Sequence, residues 1–198
     1  MMLRMKESSH LYKEPRYDHL FTKKIVSKIN IPNLTTGNNY NLNITGFNSV
    51  ASFGFIFIRD QENDLGYDYF KYKYMIDDVS IQDGTGKNIL HSDLVSQKDY
   101  NRYQVFENFG GKFAILLNKL STIAYNNGSI FFMPFGYNAG SSFNDGYNGG
   151  YAFKSGQDYK IKFKSNSDSG GKSVILYIVW FTPALLSLEN NDLSETQN

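Results

Sequence analysis

The sequence predicts an all-β sandwich or barrel, and three observations predict it. Tyr159-Lys-Ile-Lys-Phe-Lys164 alternates with a period of two, placing Tyr159, Ile161 and Phe163 on one face and Lys160, Lys162 and Lys164 on the other. That is the pattern of an antiparallel strand with one face on a core and one in water. Beyond a tight Asp168-Ser-Gly-Gly171 turn, Val174 to Phe181 is apolar on both faces and rich in β-branched and aromatic residues, as befits the interior of a sheet. The chain also holds 15 Tyr and 16 Phe while Ala is not abundant, which favours sheets over helices.

Composition bounds the rest. With 198 residues, 41% of them hydrophobic and 16% aromatic, the chain suits one domain with a genuine core and is too apolar for a disordered body. A formal net charge of +1 gives no global field toward nucleic acid or membrane. There is no cysteine, so disulfides, thiol catalysis and cysteine metal sites are excluded. No stretch of about 18 apolar residues exists to form a transmembrane helix, and Met1 to Lys13 lacks the apolar core of a signal peptide.

In chain order, residues 1–23 read as a polar, basic N-terminal arm interrupted by Pro15, and Lys24 to Ile31 as a first strand ending at Pro32. Turn chemistry at Thr35-Thr-Gly-Asn-Asn39 precedes a strand on which Tyr40, Leu42 and Ile44 alternate. Val50 to Ile58 reads as a buried strand and Asp60 to Asp68 as an acidic loop. Phe70, Tyr72, Tyr74 and Ile76 alternate into a strand that continues through Val79 and Ile81 to the turn Asp83-Gly-Thr-Gly86. Ser92 to Phe106 is the one convincing helix: Ser92 suits the N-cap, Asp93 the first turn, and Leu94, Tyr100, Tyr103 and Phe106 share a side. Lys112 to Leu117 and Ser129 to Phe135 are further strands, and 187–198 is a flexible polar tail. The expected architecture is a single eight-stranded jelly-roll sandwich, residues 24–186, with one short helical insertion.

Chemical motifs are few. His10, His19 and His91 are the only histidines, and there is no Gly-x-Ser-x-Gly elbow, so no nucleophile–base pair can be assembled and the histidines read as surface residues. Gly170-Gly-Lys-Ser173 resembles the end of a phosphate-binding loop, but Asn166 stands where the pattern's first glycine belongs and a strand follows, so it reads as a hairpin turn. Asp60, Glu62, Asp64 and Asp68 lack the spacing of a calcium loop and read as solvated. Asn33, Asn43 and Asn127 begin glycosylation-type triplets that read as chance matches in an Asn-rich chain. The Gly/Asn/Tyr segment from Tyr137 to Tyr151 admits two uses: its aromatics and amides could hold a sugar, or Tyr137, Phe143, Tyr147 and Tyr151 anchor a protein neighbour, the reading preferred here.

The order of these pieces resembles the viral capsid jelly roll, in particular one barrel of the double jelly-roll major capsid proteins of tailless icosahedral double-stranded DNA viruses and phages. Four stretches are similar: Val50 to Arg59, Tyr72 to Gly86 followed by the short helix, Ser129 to Phe135 with Gly140-Ser-Ser-Phe-Asn144, and Ser173 to Pro183. The length is that of one barrel rather than two. The resemblance implies a non-enzymatic structural protein of the virion that self-associates, as a trimer or pentamer, or joins other capsid proteins in an icosahedral shell. It implies no catalytic, cofactor-binding or metal residues, no cofactor and no sequence-specific nucleic-acid binding. The alternative is a non-catalytic carbohydrate-binding β-sandwich that recognises a receptor or cell-surface glycan.

Overall fold

The computed structural model describes residues 16–61, 74–91, 130–136, 149–189 and 192–197. Every regular element among them is a strand: β1 (Arg16–Ile31), β2 (Asn39–Ile44), β3 (Val50–Ala51), β4 (Phe53–Asp60), β5 (Ile76–Asp83), β6 (Asn88–His91), β7 (Ile130–Pro134), β8 (Tyr151–Ala152), β9 (Tyr159–Ser165), β10 (Val174–Glu189) and β11 (Asp192–Gln197). The expected helix from Ser92 to Phe106 and the strand from Lys112 to Leu117 lie outside the described residues.

The pairing is nested. β1 pairs β10, β2 pairs β9, β3 pairs β8, β4 pairs β7 and β5 pairs β6, all antiparallel. The chain is one long hairpin, doubled back on itself around β5 and β6. Two further pairings, β10 with β4 and β9 with β5, roll that hairpin up. The result is a sheet in the order β1-β10-β4-β7, a second in the order β2-β9-β5-β6, and a small β3-β8 pair. The core comprises the inward faces of both large sheets. Ile56, Leu176, Ile178 and Trp180 from the first meet Ile76, Val79, Ile81, Ile161 and Phe163 from the second, each 2% exposed or less. The alternation read on β9 is realised, with Tyr159, Ile161 and Phe163 buried and Lys160 exposed.

Trp180 is fully buried and stacks on Phe47 at 4.3 Å between centroids. Its indole N–H donates to the Ser27 hydroxyl at 3.0 Å, which satisfies a polar group that burial would otherwise strand. On β5, Ile76 and Val79 are three apart yet both buried, which violates a period of two. A bulge resolves this: the register slips between Asp77 and Ser80, and Asp78 takes a positive φ of 51°. One extra residue turns the strand over so that both apolar residues reach the core.

Four boundaries differ from expectation. The run Val50 to Ile58 is split at Ser52: Val50 and Ala51 pair with β8, while β4 begins at Phe53. The closing strand does not stop near Thr182 but runs through Pro183 to Glu189. The Ser52 N–H donates to the Phe181 carbonyl, so alternate residues of β10, Pro183 included, aim their backbone groups at that same edge. β4 pairing ends at Phe181 and β11 pairing starts at Ala184, so the N–H that proline lacks falls in a gap where it would have no strand partner. The first strand begins at Arg16 rather than Lys24, because β10 extends far enough to pair with it. Within the expected tail, Asp192–Gln197 forms β11 on the same extension of β10.

Candidate assembly surfaces

One end of the barrel is aromatic. Phe153 lies at the centre, in edge-on contact with Phe47 (5.2 Å), Phe135 (5.6 Å), Tyr151 (5.0 Å), Tyr159 (4.8 Å) and Trp180 (5.0 Å). The sequence-predicted binding segment starts and finishes on this end. On one side the Phe135 and Gly136 N–H groups both donate to the Ser52 carbonyl. On the other, Gly149 has a φ of 87°, and Gly150 lies so close to β3 that a Cβ would come within 2.4 Å of the Ala51 carbonyl oxygen. Tyr137, Phe143 and Tyr147 lie outside the described residues. Tyr151, expected to face a neighbour, is half-buried against Phe153 and Tyr159. Burial, reinforced by Tyr159 and Asp83, pushes its hydroxyl pKa up.

The opposite end is polar and tightly bonded. Leu34 and Ser169 hold each other: the Leu34 N–H donates to the Ser169 hydroxyl at 3.0 Å, and the Ser169 N–H donates to the Leu34 carbonyl at 2.8 Å. The Asp168 carboxylate accepts from the Gly170 N–H, and Gly170 and Gly171 have positive φ. Gly170-Gly-Lys-Ser173 therefore lies in the turn that carries the chain from β9 in one sheet to β10 in the other, rather than in the expected hairpin, because the two strands do not pair. β10 rather than a helix follows it, so no helix N-terminus is presented to a phosphate. Asp60 closes β4 and accepts a hydrogen bond from the Tyr74 hydroxyl. Glu62, Asp64 and Asp68 lie outside the described residues. Among the described residues no group of three His, Asp or Glu gathers as a metal site. His19 falls on β1 and His91 on β6, and His10 lies outside the described residues.

Sequence reasoning missed the outer face of the first sheet. Lys24, Phe181, Phe53 and Pro134 lie in one row across β1, β10, β4 and β7; Val26, Val179, Phe55 and Phe132 in the next; Lys28, Tyr177, Phe57 and Ile130 in a third. Phe53 stacks on Phe181 at 4.4 Å, Phe57 on Tyr177 at 5.1 Å, and the Lys28 ammonium sits 5.0 Å over the Tyr177 ring. Phe53 and Phe132 are buried, whereas Val26, at the β1 margin, is 42% exposed. The face is thus covered along β4 and β7 and opens toward β1. The signal existed in Phe53-x-Phe-x-Phe57, but both faces of that run are apolar, and a single strand does not reveal that its aromatics continue into rows on its neighbours.

No family model matches the chain, and no curated protein matches it by sequence. Solved structures do. A chain of the PBCV-1 virus capsid superposes with a TM-score of 0.62 at 10% identity, over 96% of this chain and 54% of that one. PBCV-1 VP54, fitted into a reconstruction of the virophage Sputnik, gives 0.61 at 9% identity, over 98% and 55%. A chain of the Sputnik virophage itself gives 0.55 at 12% identity, over 93% and 39%. The chain spans about half or less of the length of these viral chains. The rolled, nested hairpin is therefore similar in fold to part of the double jelly-roll major capsid proteins, one barrel's worth of them.

Proposed function

We propose that this protein is a non-enzymatic subunit of a virion shell, a single eight-stranded jelly roll that associates with its own copies or with other capsid proteins. The observation that supports this most is the superposition of 93% to 98% of the chain on capsid chains about twice its length. The aromatic outer face of the β1-β10-β4-β7 sheet, open along β1, is chemically suited to such packing, since aromatics supply large contact area at few rotatable bonds. In this reading residues 24–186 form the body, and the arm (1–23) and tail (187–198) reach toward adjoining subunits from the extended β1–β10–β11 ribbon.

The test is electron microscopy and light scattering on the purified chain across a concentration series. Closed rings or shells that form as concentration rises are the expected outcome. Changing both Phe143 and Tyr147 to Ser should lower self-association without shifting the melting temperature of the monomer. A chain that stays monomeric at every concentration yet binds saturably on a glycan array would replace this reading with the carbohydrate-binding one.

A further inference from the structure

The outer face of the second sheet has the opposite chemistry to that of the first. Three rows cross it in register: Asn43, Lys160 and Gln82; Asn41, Lys162 and Ser80; Asn39, Lys164 and Asp77. Gln82 continues its row to Asn88, donating an amide hydrogen bond to it at 2.7 Å. Three lysines therefore run down the middle strand, flanked by asparagines on β2 and by short polar side chains on β5. Same-face residues on a strand are about 6.7 Å apart, so the three lysines span about 13 Å along β9. Two carboxylates border these rows on β5: Asp77, which accepts a hydrogen bond from the Asn166 amide, and the exposed Asp78 in the bulge between Asp77 and Ser80.

We propose that this face binds the phosphodiester backbone of nucleic acid without regard to sequence. A line of cations flanked by amide donors complements a linear polyanion, in which charge repeats along one dimension. The rows contain no aromatic on which a base could stack and no apolar side chain to enter a bilayer, so phosphate contact is the chemistry they offer. The inference does not depend on assembly, since it is read on the monomer.

The experiment measures fluorescence anisotropy of a labelled duplex of about 30 base pairs against the full chain between about 50 and 200 mM salt. Three phosphate contacts give a slope of about −2.7 in log K against log salt, hence a roughly forty-fold weakening across that range. Lys162→Gln should reduce the slope by about 0.9. Lys160→Gln, Lys162→Gln and Lys164→Gln together should abolish salt-dependent binding while leaving the circular dichroism spectrum unchanged. Lys24→Gln, which removes an exposed cation from the other sheet, should leave the slope as it was. An unbound duplex at 50 mM salt, or a triple variant that binds like the parent, overturns the proposal. So does tighter binding to phosphatidylglycerol vesicles or to polyglutamate than to the duplex, which would make the face a membrane or protein contact. Because binding is read on the monomer, its failure leaves the shell reading standing, and a failure to assemble leaves this one standing.

Discussion

Replacing Gly54 with Ala tests the central strand pairing. Gly54 lies opposite Trp180 in the β4–β10 register. A Cβ there would stand 2.7 Å from the Met133 side-chain terminus, 2.8 Å from the Val179 carbonyl oxygen and 3.7 Å from the indole ring. The methionine end can swing away, but the carbonyl belongs to the sheet and yields only if the two strands part by several tenths of an ångström. Overpacking of this kind costs about 1–3 kcal/mol. Stiffening of the unfolded chain by the new methyl returns about 0.4–1 kcal/mol. The expected net loss is about 1–2 kcal/mol, which for a chain of this size lowers the melting temperature by roughly 2–8 °C. Urea unfolding followed by the emission of Trp180, the only tryptophan, reports it directly. A companion Met133→Leu change removes only the flexible obstacle, so it should restore part of the loss at most. Full restoration, or an Ala variant as stable as the parent, would refute the claim that the backbone of β10 sets the limit.

Three other outcomes follow from the same core and its rim. Ile178→Ala, at a fully buried position, should cost about 2–5 kcal/mol by denaturant unfolding, and a loss under about 1 kcal/mol would place β10 at an exposed edge. Ser27→Ala removes the acceptor of the buried indole N–H and should cost about 1–3 kcal/mol, whereas Ser27→Thr, which keeps a hydroxyl, should retain more of the stability. Asp83 accepts hydrogen bonds from the Thr85 hydroxyl (2.6 Å) and from the Thr85 and Lys87 N–H groups (both 3.0 Å), and the Thr85 hydroxyl is the largest cause holding its carboxyl below the usual 3.8. With a folded pKa below the unfolded one, its contribution is present above pH 3.8 and fades as pH falls through the folded value. Carboxyl NMR titration should show the low midpoint, and Thr85→Val should move it back up.

The sequence was legible where one strand's own pattern decided its place. β9 is an example, since its lysines and apolar residues strictly alternate, and the central part of β10 is another, being apolar on both faces. It was less legible where pairing overrode local pattern. Arg16 to Lys23 looks like a solvated arm by composition, yet β10 offers it a continuous ladder. Pro183 looks like a stop, but a proline interrupts a strand only where its N–H is needed, and that depends on which strands flank it. The two aspartates of Ile76-Asp-Asp-Val79 hid a bulge that only the slipped register exposes. The outer surfaces were harder still. The rows of phenylalanine on one sheet, and of lysine and amide on the other, are properties of neighbouring strands, and neighbours here come from distant parts of the chain.

The nesting of the strands also sets an order of events during synthesis. Among the described residues β1 finds its partner in β10, which follows it by more than a hundred residues, and β10 is also the strand that joins β1 to β4. A growing chain can close β5 on β6, and later β4 on β7, but β1 waits as an unpaired ribbon until β10 has left the ribosome. Such non-local closure is slow, and the exposed β1 edge is open meanwhile to the wrong partner. Lys23, Lys24 and Lys28 along that edge are suited to discourage premature pairing through like-charge repulsion. Truncation before β10 should therefore yield an aggregating chain rather than a smaller barrel, and a rearranged chain order that starts at β10 should fold faster than the natural order.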